Sequence, residues 1–343
     1  MVLHLPGCKI ALDRHEDGTD MNFVSHAHSD HISGLKKRKS AIMSEATMAL
    51  LHAKGKKAEL LQPPSGVRLL NAGHMLGSRQ IYAECDASGS SVIYSGDYQM
   101  LESYTAEPIE TKHADVLIID STYPDPLVEF DDREEVVSAI QTYSRYKVDR
   151  GTVLFGAYST GKAQELVKIL NESGTTPFVD SKIARMNEVY GSFGVKLDYQ
   201  TLPESGEVPR ANFVGVVSMH DLIDWKIRVA SNGWRRAYTA IASGFAKSMT
   251  FNTDVQFGLS DHADFRQAVE YIGLCSPKRI YTVGSGAAVF AKNLESSGYA
   301  AEPLQVVAAG KPAQTACRQV RKGPNAPVFP RCRIPRAIQH AMP

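Results

Sequence analysis

The sequence predicts a layered α/β fold built on sheets, in two parts, and three observations carry that expectation. Up to about residue 123 the chain reads as short runs rich in Val, Ile and Tyr, bounded by Gly, Ser or Asp, the pattern of strands joined by turns. Beyond an acidic, proline-bearing stretch it changes to strand–helix alternation, and after Phe251 it returns to strands that end in polar residues. A chain of 343 residues, 43% hydrophobic and 22% charged, is long enough for two domains or for one that carries an insertion.

LHLPG, CKIALD, MNFVS, VRLLNAG, QIYAEC, SVIYSGD and DVLIIDSTY supply the first strands, with one or two helices among them. The stretch YPDPLVEFDDREE then leads into a helix. Asp131 serves as its N-cap, and Glu134 and Glu135 lie in the first turn, where carboxylates meet the positive end of the helix dipole. GTVLFGAYS and GKAQELVKILNESG make a strand and a helix, with Leu166, Ile169 and Leu170 as its apolar stripe and Gly174 as its C-cap. PFVDS, NFVGVVSM and YTAIASG add strands, with DLIDWKIRVAS as helical material between the last two. QFGLSDHADFRQAVEYI reads as a strand, a capped turn and a helix, followed by the strand KRIYTVGSG and a helix through Leu294.

Composition narrows the function classes. The net charge of +1 argues against a uniformly basic nucleic-acid binder. The charge is uneven, however: no Asp or Glu follows Glu302, while Lys311, Arg318, Arg321, Lys322, Arg331, Arg333 and Arg336 do, so 308–343 reads as a basic, poorly ordered tail. No apolar run approaches the roughly 20 residues that span a bilayer, and MVLHLPGCKI is too short and polar for a secretory signal, which points to a cytoplasmic protein without a membrane partner. Cys8, Cys85, Cys275, Cys317 and Cys332 are odd in number and never in a CxxC pair, against both a disulfide framework and a thiolate zinc site.

The chemistry concentrates in HAHSDH at residues 26–31, where four metal-binding side chains fall within six residues. In an extended segment alternate side chains share a face, so His26 and His28 can reach one ion while Asp30 and His31 turn toward another. Downstream, His74 in AGHMLGS, Asp97 in YSGDY, Asp120 in IIDSTY and His262 in LSDHADF each fall at or just after a strand end. Ligands converging from several strand ends suit zinc, which accepts imidazole nitrogen and carboxylate oxygen.

The ordered set Asp13, HAHSDH, His74 and Asp97 resembles the metallo-β-lactamase superfamily, and IIDSTY, STGKAQEL and LSDHADF resemble its β-CASP branch of nucleic-acid nucleases. The likeness covers about residues 8 to 304. It implies an αββα sandwich of two sheets flanked by helices, assembled from 1–123 and 253–307, with an α/β β-CASP domain inserted at 124–252. His26, His28, His74 and Asp97 would hold one zinc; Asp30, His31 and a bridging Asp97 would hold a second, and Asp13 would orient ligands from beneath. Asp30, Asp120 and His262 would be catalytic, the last two beside the scissile phosphate.

One feature departs from the RNA-processing members, which carry a further histidine after the strand following the SDHADF helix. Here that place falls on Val283 or Gly284, so the second zinc is expected to be held more weakly. Lack of this histidine, together with Asp120, is similar to the DNA cross-link-repair, Artemis-like group. GHMLGS, STGKAQEL, VDS and IASGF look more like the mRNA 3′-end-processing and RNase J side. The expected function is zinc-dependent phosphodiester hydrolysis, with a slight lean to single-stranded RNA processing or exonucleolytic decay; a DNA-repair exonuclease and a weakly active nucleic-acid-binding scaffold are the alternatives. A small-ester hydrolase would share HAHSDH without needing the insertion or SDHADF. Ser95, Ser121, Thr122 and Ser260 are candidate phosphate donors, and Lys36–Lys39 could steer a polyanion.

Overall fold

The computed structural model describes residues 1–84, 89–232 and 236–304. The basic tail, and with it Cys317 and Cys332, lies outside the described residues, as does Cys85.

The N-terminal strands β1 (Val2–Leu5), β2 (Cys8–Leu12), β3 (Met21–Phe23), β4 (Ser40–Ile42) and β5 (Glu59–Leu61) form a first sheet in that order, with helix α1 (Glu45–Ala53) between the last two. β6 (Val67–Asn71), β7 (Arg79–Glu84), β8 (Ser91–Tyr94) and β9 (Val116–Asp120) begin a second sheet. The chain then leaves it for α2 (Arg133–Val148), β10 (Thr152–Ala157), α3 (Lys162–Glu172), β11 (Phe178–Val179), α4 (Ser181–Ser192), β12 (Gln200–Thr201), β13 (Val214–Ser218), α5 (Leu222–Ser231), β14 (Ala237–Ala242) and β15 (Val255–Phe257). Their strands make a third, all-parallel sheet in the order β12-β11-β13-β10-β14-β15. After α6 (Phe265–Cys275), β16 (Arg279–Val283) returns to lie beside β9; α7 (Ala287–Ser296) and β17 (Ala301–Pro303) complete the second sheet as β17-β16-β9-β8-β7-β6.

Side chains from the facing strands build the layers. Ile10, Leu12, Phe23 and Ile42 from the first sheet pack on Ile81, Val92, Tyr94 and Ile118 from the second. The opposite face of the second sheet, through Leu117 and Ile119, meets Tyr271 and Ile272 of α6 and Phe290 and Leu294 of α7. The opposite face of the first meets Leu50 and Leu51 of α1 and, beyond them, Met186 and Tyr190 of α4. These four layers are the αββα sandwich expected from the sequence. The third sheet is covered by α2, α3 and α4 through Ile140, Leu166, Leu170 and Ile183, and on its other face by α5 through Leu222, Trp225 and Val229.

Two helix ends differ by one residue from expectation. The N-cap of α2 is Asp132, whose carboxylate accepts from the amides of Glu134 and Glu135, at 2.8 and 3.3 Å. The neighbouring Asp131 is engaged by Lys247 Nζ at 2.6 Å, so a contact made in the folded chain decides between two chemically equivalent caps. α3 ends on Ser173, and Gly174 follows in the left-handed region at φ 78°, the residue type that tolerates it. Leu166, Ile169 and Leu170 are fully buried, as their spacing predicts. Among the described residues no helix is long and apolar enough to cross a membrane.

Candidate metal centre

Every expected site residue except Asp13 and Asp120, which lie at strand ends themselves, sits in a loop leaving a strand: residues 26–31 after β3, His74 after β6, Asp97 after β8 and His262 after β15. The loops bring His26 Nε2 to 3.0 Å from His28 Nδ1, His74 Nε2 to 3.3 Å from the same nitrogen, and Asp97 Oδ2 to 3.5 Å from His26 Nε2. All four donor atoms lie within 4.8 Å of one another. Zinc bonded to imidazole at about 2.0–2.1 Å needs tetrahedral edges of about 3.3 Å, so the cluster has the right size.

Hydrogen bonding on the far side of each ring fixes what it can offer. His28 Nε2 donates to the Thr160 carbonyl (3.1 Å) and His74 Nδ1 to the Asp261 carbonyl (2.8 Å). A carbonyl cannot donate, so both nitrogens carry protons and His28 Nδ1 and His74 Nε2 face each other as lone pairs. Ser25 Oγ donates to Asp13 Oδ2 at 2.7 Å and thus accepts from His26 Nδ1 at 3.0 Å, leaving a lone pair on His26 Nε2 as well. Three lone pairs converging beside a carboxylate repel unless a cation lies among them. Burial also lowers the pKa of all three rings: His26 well below the usual histidine value, reinforced by the charge of His31; His28 below it; and His74 down to about 3. Neutral imidazole is the ligating form, and the donor set fits a metal ion.

The second half of HAHSDH is arranged differently. His31 Nε2 lies 3.3 Å from Asp97 Oδ1 and 3.5 Å from Asp30 Oδ2. Asp30, however, is 78% exposed, and among the described residues neither belongs to a cluster of three or more donors within 4.8 Å. Burial opposes a charge on His31, yet Asp13 and Asp97 outweigh it and raise its pKa well above the usual value. Asp30 is lowered to about 2, chiefly by its hydrogen bond to His31. Beneath the loop, the buried Asp13 carboxylate accepts from the Ser25 amide (2.7 Å), Ser25 Oγ (2.7 Å), Tyr94 OH (2.7 Å) and His31 Nδ1 (2.8 Å). Asp13→Ala strands these donors, and urea unfolding of the metal-free protein is expected to show a loss of about 3 kcal/mol.

Asp120, the last residue of β9, accepts from His262 Nδ1 at 3.3 Å, while His262 Nε2 points toward Asp97 Oδ2 at 4.0 Å. Burial disfavours the imidazolium, but the hydrogen bond to Asp120 and the charges of Asp97, Asp120 and Asp261 hold it up to about 9. Val283 pairs in register with Asp120 and packs between the sheets. Gly284 is the residue beside the site: at φ 103°, a Cβ there would lie 3.5 Å from Asp120 Oδ1.

Three of the four candidate phosphate donors are turned inward instead. Ser95 Oγ accepts from the Asp120 amide (3.1 Å) and donates to the Gly96 carbonyl; Thr122 donates to Asp120 Oδ1 (3.0 Å); Ser260 Oγ donates to the His262 carbonyl (2.8 Å). Ser121 Oγ is buried without a partner. Lys36, Lys37 and Lys39 are exposed beside the metal loop, whereas Arg38 caps the Asp20 and Thr19 carbonyls. Nothing in the sequence signals the Thr160 and Asp261 carbonyls, since a backbone acceptor is not marked by its side chain. Gln99 was likewise missed; its amide nitrogen donates to the Ser260 (3.2 Å) and His262 (2.9 Å) carbonyls and holds the turn that presents His262.

A cluster of three neutral imidazoles and a carboxylate at the strand ends of an αββα sandwich defines a metal-dependent hydrolase scaffold. No family model matches the chain. It is 31% identical to a "Probable DNA ligase" of Opitutus terrae over 86% of its own length, and spans only 30% of that ligase. It is 26% identical to the "5′ exonuclease Apollo" of Gallus gallus, with 99% of this chain and 75% of that protein covered. An "RNase J-like protein" of Methanocaldococcus jannaschii is 37% identical over 114 residues, 30% of this chain and 25% of that one. The chain belongs to the metallo-β-lactamase superfamily, in its β-CASP branch of metal-dependent nucleases.

Proposed function

We propose that this chain is a zinc-dependent exonuclease that hydrolyses phosphodiester bonds at single-stranded DNA ends. The observation that carries the chemistry is the convergence of three neutral imidazoles on Asp97, with the Asp120–His262 pair beside them. For DNA over RNA, the support is threefold: Asp120 in place, glycine rather than histidine at 284, and the long matches to proteins named as a DNA ligase and as the 5′ exonuclease Apollo. The lean to RNA rests on the segments GHMLGS, STGKAQEL, VDS and IASGF, and the match to the RNase J-like protein covers 30% of the chain. The boundary of the inserted domain moves in this reading to about Phe257, because β15 pairs with β14. Action in the cytoplasm accords with the free thiols of Cys8 and Cys275.

His26, His28, His74 and Asp97 hold the first zinc in this reading; Asp97, His31 and the exposed Asp30 hold a second, weaker one. When bound, zinc supplies Lewis-acid stabilisation of the phosphoryl oxygens and lowers the pKa of the attacking water. The remaining work falls to the chain. Asp120 anchors His262 Nδ1, so Nε2 faces the cluster as a proton donor for the leaving oxygen. Ser260 and Gln99 hold the turn that carries it.

Matched end-labelled DNA and RNA strands, with 5′ phosphate or 5′ hydroxyl, test the proposal. The expected result is shortening of DNA from its 5′ end, with one zinc retained per chain after dialysis and hydrolysis lost on chelation. Preferential shortening of RNA would move the substrate to the second reading. Strands left intact by the zinc-loaded protein, or cleaved as well after metal removal, would overturn the mechanism.

A further inference from the structure

We propose that residues 160–162, between β10 and α3, are a positioning element for the metal cluster: they fix the rings of His28 and His74 from outside the αββα sandwich and so set how tightly zinc is held. The inference rests on the reading that His26, His28, His74 and Asp97 hold that ion.

Three consecutive residues make the contacts. The Thr160 carbonyl accepts from His28 Nε2 at 3.1 Å, which both protonates that nitrogen and aims Nδ1 into the cluster. Gly161, at φ 89°, takes a left-handed conformation that favours glycine, and the backbone there passes at ordinary contact distance from the site: a Cβ would lie 3.4 Å from Met75 Cβ, 3.7 Å from His28 Nε2 and 3.8 Å from Asp261 Oδ2. Lys162 is 3% exposed, and its ammonium lies 3.2 Å from Asp261 Oδ1. The Asp261 carbonyl in turn orients His74 through a 2.8 Å hydrogen bond.

Two of the three imidazoles therefore take their outer hydrogen bond from this segment or from a residue it grips. A buried ammonium is costly without a partner, so Lys162 and Asp261 hold each other in place. The first turn of α3 is itself tied to the sandwich. The Glu165 carboxylate accepts from Ser103 Oγ and Thr105 Oγ1, both at 2.7 Å, and from the Tyr104 amide at 3.1 Å. The grip thus transmits the placement of the third sheet to ring orientation at the metal, and outer partners of metal-bound imidazoles set ligand geometry and basicity.

The test is a zinc titration of the full chain against a competing chelator dye, with thermal unfolding of the metal-free protein recorded alongside. Lys162→Met is expected to weaken zinc binding about 10- to 100-fold, while Lys162→Arg, which keeps the charge, restores most of it. Asp261→Asn should weaken binding too, and the double variant should lose no more than the worse single one, as for two residues acting as a unit. Gly161→Ala, which strains the backbone at that positive φ beside the Thr160 carbonyl, should shift affinity in the same direction. If Lys162→Met does not fold, the Asp261→Asn and Gly161→Ala titrations decide. Unchanged zinc affinity in folded variants, with only the unfolding temperature lowered, overturns the inference and leaves the site reading intact. A wild-type chain that binds no zinc overturns both.

Discussion

Asp97→Ala should abolish firm zinc binding and phosphodiester hydrolysis together while the chain stays folded. Asp97 lies beside four of the imidazoles at the site: 3.5 Å from His26, 3.3 Å from His31, 3.9 Å from His74 and 4.0 Å from His262. Burial alone would favour its protonated form, but the surrounding histidines, His31 and His26 foremost, drive its pKa well below the usual carboxylate range. The charge is therefore present where a cation must be balanced. Because even outer partners of metal ligands are worth 10- to 100-fold in affinity, losing this ligand should cost more than about 100-fold. The side chain belongs to none of the apolar clusters, so circular dichroism and the unfolding midpoint of the metal-free protein should change little. Metal analysis after dialysis and the end-labelled strand assay read the rest; His28→Ala should behave alike. A variant that keeps its zinc would remove Asp97 from the ligand set.

The second large effect belongs to His262. As proton donor to the leaving oxygen it is worth about 10²- to 10⁴-fold in rate, and His262→Ala should lose that much while retaining zinc. In the proposed mechanism the protonated form is the active one; Asp120 and its neighbours hold it up to about 9, so kcat/KM should fall as the pH rises through that region. Asp120→Asn removes one of the charges that favour the imidazolium and leaves only a neutral acceptor for His262 Nδ1. The alkaline limb must then move to lower pH, because the proton is lost more easily. A pH–rate profile of the two proteins at saturating zinc distinguishes this from a structural role, in which the rate would drop at every pH and the limb would stay in place.

Much of this site was legible because it lies at strand ends, where a polar residue closing an apolar run marks both the boundary and the chemistry. The alternation puts His26 and His28 on one face, and in the structure their donor atoms lie together with those of His74 and Asp97. The same alternation said nothing about depth, so Asp30 is largely exposed while His31 is tied to Asp13. Strands β4 and β5 escaped because SAI and ELL are only three residues long, too short to display a period of two, while α1 between them is one of the one or two helices expected there without a position. The outer hydrogen bonds of His28 and His74 were illegible for a different reason: their acceptors are main-chain carbonyls separated from the rings by 132 and 187 residues. Asp261 stands in a conspicuous motif beside His262, but the hydrogen bond that orients His74 is made by its main-chain carbonyl, which the motif does not mark. Lys162 stands among other polar residues in STGKAQEL and carries no signal of its own; only its burial against Asp261 sets it apart.

The second sheet has a consequence for how the protein comes into being. β9 finds its far neighbour β16 only after more than 150 further residues have been made, and the helices that shield Leu117 and Ile119 come from residues 265–296. While the ribosome is still synthesising the third sheet, all of HAHSDH, His74 and Asp97 has emerged, yet one face of the sheet that carries His74 and Asp97 remains bare. Pairings of such long sequence separation are slow to form, and an uncovered apolar sheet face invites association with other chains. The all-parallel third sheet, with its own helices on both faces, can complete its core without the residues that follow Leu259. Its early closure would shorten the loop that the second sheet has to span, so the part of the chain that interrupts the catalytic scaffold would also be the part that lets the scaffold assemble.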